Sequence, residues 1–252
     1  MVARASQQAH YLHTGRRWQI NWRLLWTWML LLACVSLLAL GVRKLQEPQT
    51  LPIKQIQALG TFNHINEDML RQVVAKTVRG GYFTVNVDEV QQAVKAIPWV
   101  AQDSVRRVWP DTLAISVIEQ QTRAEWAKGG LVNQQGVLFF PARNTYPKGL
   151  PVFDGPSGTE RNLTEVYQMA KAIIVPLQLQ IQEIHMDSRR AISLKLNNGI
   201  EVILGREETR SRLERFSRVY RKLLAQRAND IARVDLRYSN GLAIGWRTPH
   251  TS

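Results

Sequence analysis

Residues 24–42 read LLWTWMLLLACVSLLALGV, a run in which no side chain is ionisable except the thiol of Cys34. As an α-helix it spans roughly 28 Å, close to the ~30 Å hydrocarbon core of a bilayer. A buried core helix would be shorter or amphipathic. A cleaved signal has an apolar core of about 7–15 residues and a small-residue cleavage site, and no A-x-A stands near the end of this run. Leu31-Leu32-Ala33-Cys34 loosely resembles a lipobox, yet apolar or small residues continue to Val42, where a lipoprotein would turn polar. Trp22, Trp26 and Trp28 crowd one end, where indoles favour the headgroup interface, and Arg43 and Lys44 stop the other. The run reads as a permanent anchor.

Charge orients it. Arg4, Arg16, Arg17 and Arg23 precede the span with no acid among them, against Arg43 and Lys44 after it. This bias favours a cytoplasmic N-terminus and an extracytoplasmic remainder. The net charge of +13 then has to be read in that compartment. Such an excess suits nucleic acid, anionic headgroups or an acidic protein, and the topology removes nucleic acid. One cysteine allows neither an intramolecular disulfide nor a thiolate cluster.

After a polar linker at 45–52 with two prolines, the pattern is that of α+β structure. Ile53, Ile56 and Leu59 mark a short strand ended by Gly60. Asn66 is placed to cap a helix over 67–76, with Met69, Leu70, Val73 and Val74 as its stripe. Gly80-Gly81 breaks the chain. A second helix is expected over 88–96, capped by Asp88 and ended by Pro98. Alternating runs at 100–109 and 112–119, joined at Pro110-Asp111, follow, with Leu113, Ile115 and Val117 on one face. The order strand, helix, helix, strand, strand implies a mixed three-stranded sheet with both helices on one face.

Short strands dominate from Trp126 on. Runs at 130–133 and 137–140 flank the turn Gln134-Gln135-Gly136, and another apolar run covers 149–153. A helix over 163–174 precedes strands at 181–185, 191–196 and 201–204, the last two joined by Asn197-Asn198-Gly199. A helix over 207–226 carries Leu213, Phe216, Tyr220 and Leu223 at helical spacing. A hairpin of 231–238 and 242–246 turns across Ser239-Asn240-Gly241. The region reads as a mixed, mainly antiparallel sheet with packed helices.

No pattern calls for chemistry. His10, His13 and His250 lie in the tails, and His64 and His185 stand apart from other ligands as surface or sheet-edge histidines. No nucleophile elbow or Walker loop occurs. Glu207-Glu208 sits at a helix start, where it complements the dipole. No catalytic residue, metal, cofactor or small-molecule substrate is expected. Seven basic side chains, Arg206, Arg210, Arg212, Arg215, Arg218, Arg221 and Lys222, surround the stripe of the 207–226 helix. They read as a solvated face, or else as a basic surface for an acidic partner.

Three stretches resemble the FtsQ/DivIB family of cell-division proteins. GGYFTVNVDEVQQAVKAIPWVAQDSVRRVWPDTLAISVIE (80–119) is similar to the family's POTRA domain, with its P-W-V, the R-x-W-P-[DE]-x-L turn and the closing V-x-E. GLVNQQGVLF (130–139) resembles the first hairpin of its β-domain, and ARVDLRYSNGLAIGW (232–246) its last hairpin. The resemblance implies a cytoplasmic tail (1–23), a transmembrane helix (24–42), a POTRA domain (51–120), a β-domain (121–247) and a C-terminal tail (248–252). It implies a non-catalytic divisome scaffold, single-pass in the inner membrane at the septum, with its C-terminus in the periplasm. Its partners would be FtsB and FtsL through the β-domain, and other division proteins through the POTRA domain and anchor. The FtsB site would fall on Arg237, Tyr238, Asn240, Gly241, Leu242, Gly245 and Trp246, helped by either Arg189 or Arg190. A POTRA-bearing accessory of outer-membrane assembly or secretion is the alternative.

The last strand supplies a physical reason of its own. No later strand is available to cover 242–246, so it forms an edge unless an earlier strand pairs there. It carries neither charge nor proline as protection. Gly245 would let another backbone approach, and Tyr238 and Trp246 would serve as anchors for an added strand, unless Trp246 is core.

Overall fold

The computed structural model describes residues 22–46, 51–239 and 241–247. The expectations for Arg4, Arg16, Arg17, His10, His13, Asn240, His250 and the tail at 248–252 lie outside the described residues.

Two compact units divide the chain, one of residues 1–52 with 80–85 and one of 53–79 with 86–252. In the first, α1 (Trp22–Gln46) is a single helix of 25 residues. Its stretch Trp22–Lys44 has a mean hydropathy of 2.2 and buries none of its apolar surface in the protein, so it has the length and composition to cross a membrane. The same unit joins Pro52 to Gly81 by an antiparallel bridge, with the Tyr82 N–H donating to the Leu51 carbonyl at 2.8 Å.

The second unit opens with β1 (Gln55–Leu59), α2 (Glu67–Thr77), α3 (Val87–Lys95), β2 (Val100–Val108) and β3 (Thr112–Glu119). The strands form a sheet in the order β1-β3-β2, with β1 parallel and β2 antiparallel to β3. Leu113, Ile115 and Val117 are all buried, as are Leu70 and Val74 of α2 and Val90 and Val94 of α3. Thr112 and Ala114, on the other face, are covered as well. Longer neighbours flank them in register: Gln55 and Val108 beside Thr112, Gln57 and Arg106 beside Ala114. Asn66 caps α2 as expected, its side chain accepting from the Asp68 N–H. The cap of α3 is Asn86 rather than Asp88. Its amide oxygen accepts from Asp88 and Glu89, which leaves Asp88 inside the first turn, where its charge suits the dipole.

The remaining strands are β4 (Thr122–Trp126), β5 (Leu131–Asn133), β6 (Leu138–Phe139), β7 (Val152–Asp154), β8 (Ile181–Met186), β9 (Ile192–Leu196), β10 (Glu201–Gly205), β11 (Ile231–Asp235) and β12 (Ala243–Trp246). They form one nine-stranded sheet in the order β12-β11-β10-β9-β8-β7-β4-β5-β6. Parallel pairing occurs at β10–β11, β7–β8 and β4–β7, and the other pairs are antiparallel. Helices α4 (Glu160–Ile174) and α5 (Thr209–Val219) add Leu163, Tyr167, Leu213 and Phe216 to a core built on Phe153, Ile184, Leu194, Val202 and Val234.

Two expectations change here. The 207–226 helix begins at Thr209, with Glu208 before it in a left-handed conformation (φ 55°), so no carboxylate sits in its first turn. After Val219 it widens into a π-turn over Tyr220–Leu224. Leu224 rather than Leu223 completes the buried stripe, because a π-turn carries more residues per turn than an α-turn. His185 is an exposed surface histidine as expected, on β8 within the sheet rather than at its edge, with its Nδ1 2.7 Å from the Asp154 carboxylate.

His64 is not isolated either. It stacks on Trp99 at 3.9 Å and meets Glu119 at 3.2 Å. Trp99 in turn donates to Thr145 Oγ1 at 2.9 Å and lies edge-on to Phe139 at 5.3 Å, tying the small sheet to the large one. Burial alone would raise the Glu119 pKa. Hydrogen bonds from the backbone N–H groups of Ile65, His64 and Asn63, and from the His64 ring, hold it below the usual carboxylate value.

Candidate partner-binding edge

Strand β12 is the last of its sheet, bonded to β11 on one side only. In the β10–β11 ladder the Leu236 N–H donates to the Ile203 carbonyl, so Val234 and Leu236 point their polar groups at β10. Alternation turns Arg233 and Asp235 toward β12, opposite Gly245 and Ala243. The backbone groups of Leu242, Ile244 and Trp246 therefore face away from the sheet. The same rule explains why the Arg247 N–H reaches inward to the Asp230 carbonyl at 2.7 Å.

The hairpin loop is held from below. Arg215 of α5 donates to the carbonyls of Ser239 at 2.6 Å, Leu236 at 2.7 Å and Tyr238 at 2.8 Å. Arg237 folds back on Asp235, with its Nη2 2.6 Å from the carboxylate and its own N–H donating at 3.0 Å. That side-chain hydrogen bond is the main reason the Asp235 pKa is lowered and the Arg237 pKa raised. Tyr238 projects from this loop with 59% of its surface exposed. Beside it a shallow hollow is lined by Tyr238, Ser239, Gly241, Leu242 and Ala243.

At the other end, Trp246 is 48% exposed, too much for a core residue. The Arg227 guanidinium lies over its ring at 4.3 Å. Leu242 and Ile244, on the same face of β12, pack against the core and fix the strand. Gly245 also has a role within its own sheet. A Cβ there would sit 2.9 Å from Arg233 Cγ, so the glycine makes room for a neighbouring side chain.

Arg189 and Arg190 lie on the β8–β9 turn, shaped by the Asp187 carboxylate, which accepts from the N–H groups of Arg189 and Ala191 at 2.8 and 2.7 Å. Both arginines are exposed, and Arg190 has φ 64°. The registers Met186↔Ile192, Ile192↔Gly205 and Ile203↔Asp235 put this turn at the same end of the sheet as Arg237. It stands about two strand spacings away, roughly 10 Å. Gly205 bridges the gap. Its φ of 74° demands glycine, and a Cβ there would lie 3.1 Å from Arg237 Cγ.

Arg227 and Arg247 escape a reading of the sequence, and Arg215, expected only as part of a basic helix face, anchors the hairpin loop instead. Arg247 clamps the end of β12, donating to Ile231 O at 3.1 Å and to Asn198 O at 2.8 Å. Its contact with Asn198 crosses 49 residues, and no local pattern announces it.

This edge and fold, behind a helix with the properties of a membrane span, define a POTRA-bearing protein whose exposed features suit protein contacts. The family model described as "POTRA domain, FtsQ-type" matches residues 51–120, and "Cell division protein FtsQ/DivIB, C-terminal" matches residues 123–237. A protein named "Cell division protein FtsQ" from Coxiella burnetii is 38% identical over 225 residues, covering 89% of this chain and 92% of the relative. Proteins of that name from Allochromatium vinosum (35% identity, 81% of this chain, 82% of the relative) and Burkholderia pseudomallei (32%, 84% and 87%) are also similar. The chain belongs to the FtsQ/DivIB family of cell-division proteins. The C-terminal match stops at Arg237, so β12 lies beyond it.

Proposed function

We propose that this protein is a non-catalytic scaffold of the divisome that recruits FtsB, and FtsL with it, by strand addition to β12. In this reading residues 24–42 anchor the chain in the inner membrane with the N-terminus cytoplasmic. The POTRA domain (51–120) and β-domain (121–247) stand in the periplasm. The observation that carries it is the uncharged, proline-free edge of β12, with outward backbone groups at Ile244 and Trp246 between two exposed aromatic rings. Such an edge gains main-chain hydrogen bonds from an added strand, and the rings supply anchors. Arg237, Tyr238, Gly241, Leu242, Gly245 and Trp246 line this edge, with Arg189 or Arg190 reaching from the neighbouring turn. The reading includes Asn240 among the partner-binding residues.

The test is FtsB binding to the full chain in nanodiscs, paired with a fluorescent fusion in dividing cells. The reading expects saturable binding that Trp246→Ala weakens, and a midcell band. An even peripheral ring, or FtsB affinity unchanged by Trp246→Ala, would contradict it.

A further inference from the structure

The basic run on α5 and its extension is only partly absorbed by the hairpin edge. Arg206 pairs with Glu207, while Arg212 donates to the Leu204 carbonyl and Arg215 to the loop carbonyls already described. Arg210, Arg218, Arg221 and Lys222 are exposed, and none forms an ion pair among the described residues. Arg210, Glu214, Arg218 and Lys222 follow one another at four-residue spacing and make one row along the outer face, with Arg221 beside it.

Two features separate this row from an ordinary solvated helix face. Glu214 attracts Arg210 and Arg218 as on any solvated helix, but no acid follows Arg218 before Asp230, and Arg221 and Lys222 bring two more cations beside it. The helix also leaves α geometry at this point. The π-turn over Tyr220–Leu224 buries Tyr220 and Leu224 and leaves Leu223, next to Lys222, 70% exposed. Single π-turns often mark functional positions. Arg218, Arg221 and Lys222 beside one exposed leucine fit a surface of opposite charge with a single apolar contact.

We infer that this face is a second docking surface, separate from β12, for an acidic helical segment of a partner protein. Its carboxylates, spaced one turn apart, meet Arg218 and Lys222, and an apolar side chain covers Leu223. The pattern suits a peptide better than a lipid surface, because an interfacial helix inserts a broad apolar face and this one offers a single large apolar residue.

The probe is a synthetic helical peptide with glutamates at four-residue intervals beside a row of leucines. Its control has the same composition with the glutamates redistributed. Both are titrated against the full chain in phosphatidylcholine nanodiscs. The matched peptide is expected to bind about tenfold tighter than the control. Arg218→Glu/Lys222→Glu should erase that preference and bind a peptide carrying lysine in place of glutamate, which excludes misfolding as the cause. The same variant should bind FtsB normally, so failure here is distinguishable from failure of the strand-addition reading. Equal binding of matched and redistributed peptides would overturn the inference. So would acidic-peptide affinity unchanged in the reversed variant, or capture by phosphatidylglycerol vesicles with no peptide preference.

Discussion

At one end of the nine-stranded sheet, β6 offers two residues, Leu138 and Phe139, and Pro141 follows almost at once. At the other, β12 offers four residues, Ala-Ile-Gly-Trp, with no charge and no proline. The first edge is protected in the usual ways, by shortness and by a residue that cannot donate. Its aromatic ring is also turned inward, since Phe139 is buried and packs edge-on to Trp99. The ring of β12, by contrast, is 48% exposed, with an arginine over it. The outer strand β2 of the small sheet is guarded by charge, with Asp103, Arg106 and Arg107 along it. The other outer strand of the small sheet, β1, is likewise free of charge and proline, so what sets β12 apart is the pair of exposed aromatic rings beside it, Tyr238 and Trp246.

The comparison can be broken most forcefully at Trp99, which belongs to the closed end. Trp99→Ala should cost about 3–5 kcal/mol of stability by removing a buried ring stacked on His64 and hydrogen-bonded to Thr145. Calorimetry should show a large fall in Tm, and FtsB affinity of the folded fraction should not change. At the open end, Ile244→Pro removes an outward-facing N–H and should weaken FtsB binding about 100-fold, while circular dichroism reports the native spectrum. Leu138→Pro on β6 should leave that affinity alone. Trp246→Ala should cost about 2 kcal/mol of binding with Tm nearly unchanged.

Acid sharpens the contrast from another side. The Glu119 pKa is lowered in the fold, so its contribution to stability is present above its unfolded value of about 4.3 and is lost as pH falls through the folded value. Glu119→Gln should therefore flatten the stability profile below about pH 4.5, measured by urea melts across pH. The smallest effect is expected from Gly245→Ala. Its new methyl meets only the flexible stem of Arg233, and the change in Tm should be within about 1 °C.

Much of this molecule is legible before any coordinates. The membrane-type run declares itself because a bilayer leaves no room for an ionisable side chain. Asn66, the Gln134-Gln135-Gly136 turn and the alternation around Leu113, Ile115 and Val117 are local signals, and each sits where local chemistry puts it. The lack of charge and proline in Ala243–Trp246 is a local signal of the same kind. What stays hidden is non-local. Strand β4 carries Arg123 and Glu125 at its centre and pairs in parallel with a strand that begins at Val152, so it looks like a polar connection. The histidine–tryptophan–glutamate joint joins residues more than 50 apart in sequence. A π-turn has no signature, so it moved the buried leucine from Leu223 to Leu224. The contact that a side chain at Gly245 would make with Arg233 lies on the adjacent strand and is equally hidden.

The central claim is that an added strand occupies the outer side of β12, and amide hydrogen exchange on the full chain with and without FtsB reads it most directly. The account predicts that the Ile244 and Trp246 amides, free in the unbound protein, become protected at least tenfold on binding, while the Leu138 and Phe139 amides are unaffected. Unchanged exchange at Ile244 and Trp246 under saturating FtsB would contradict it.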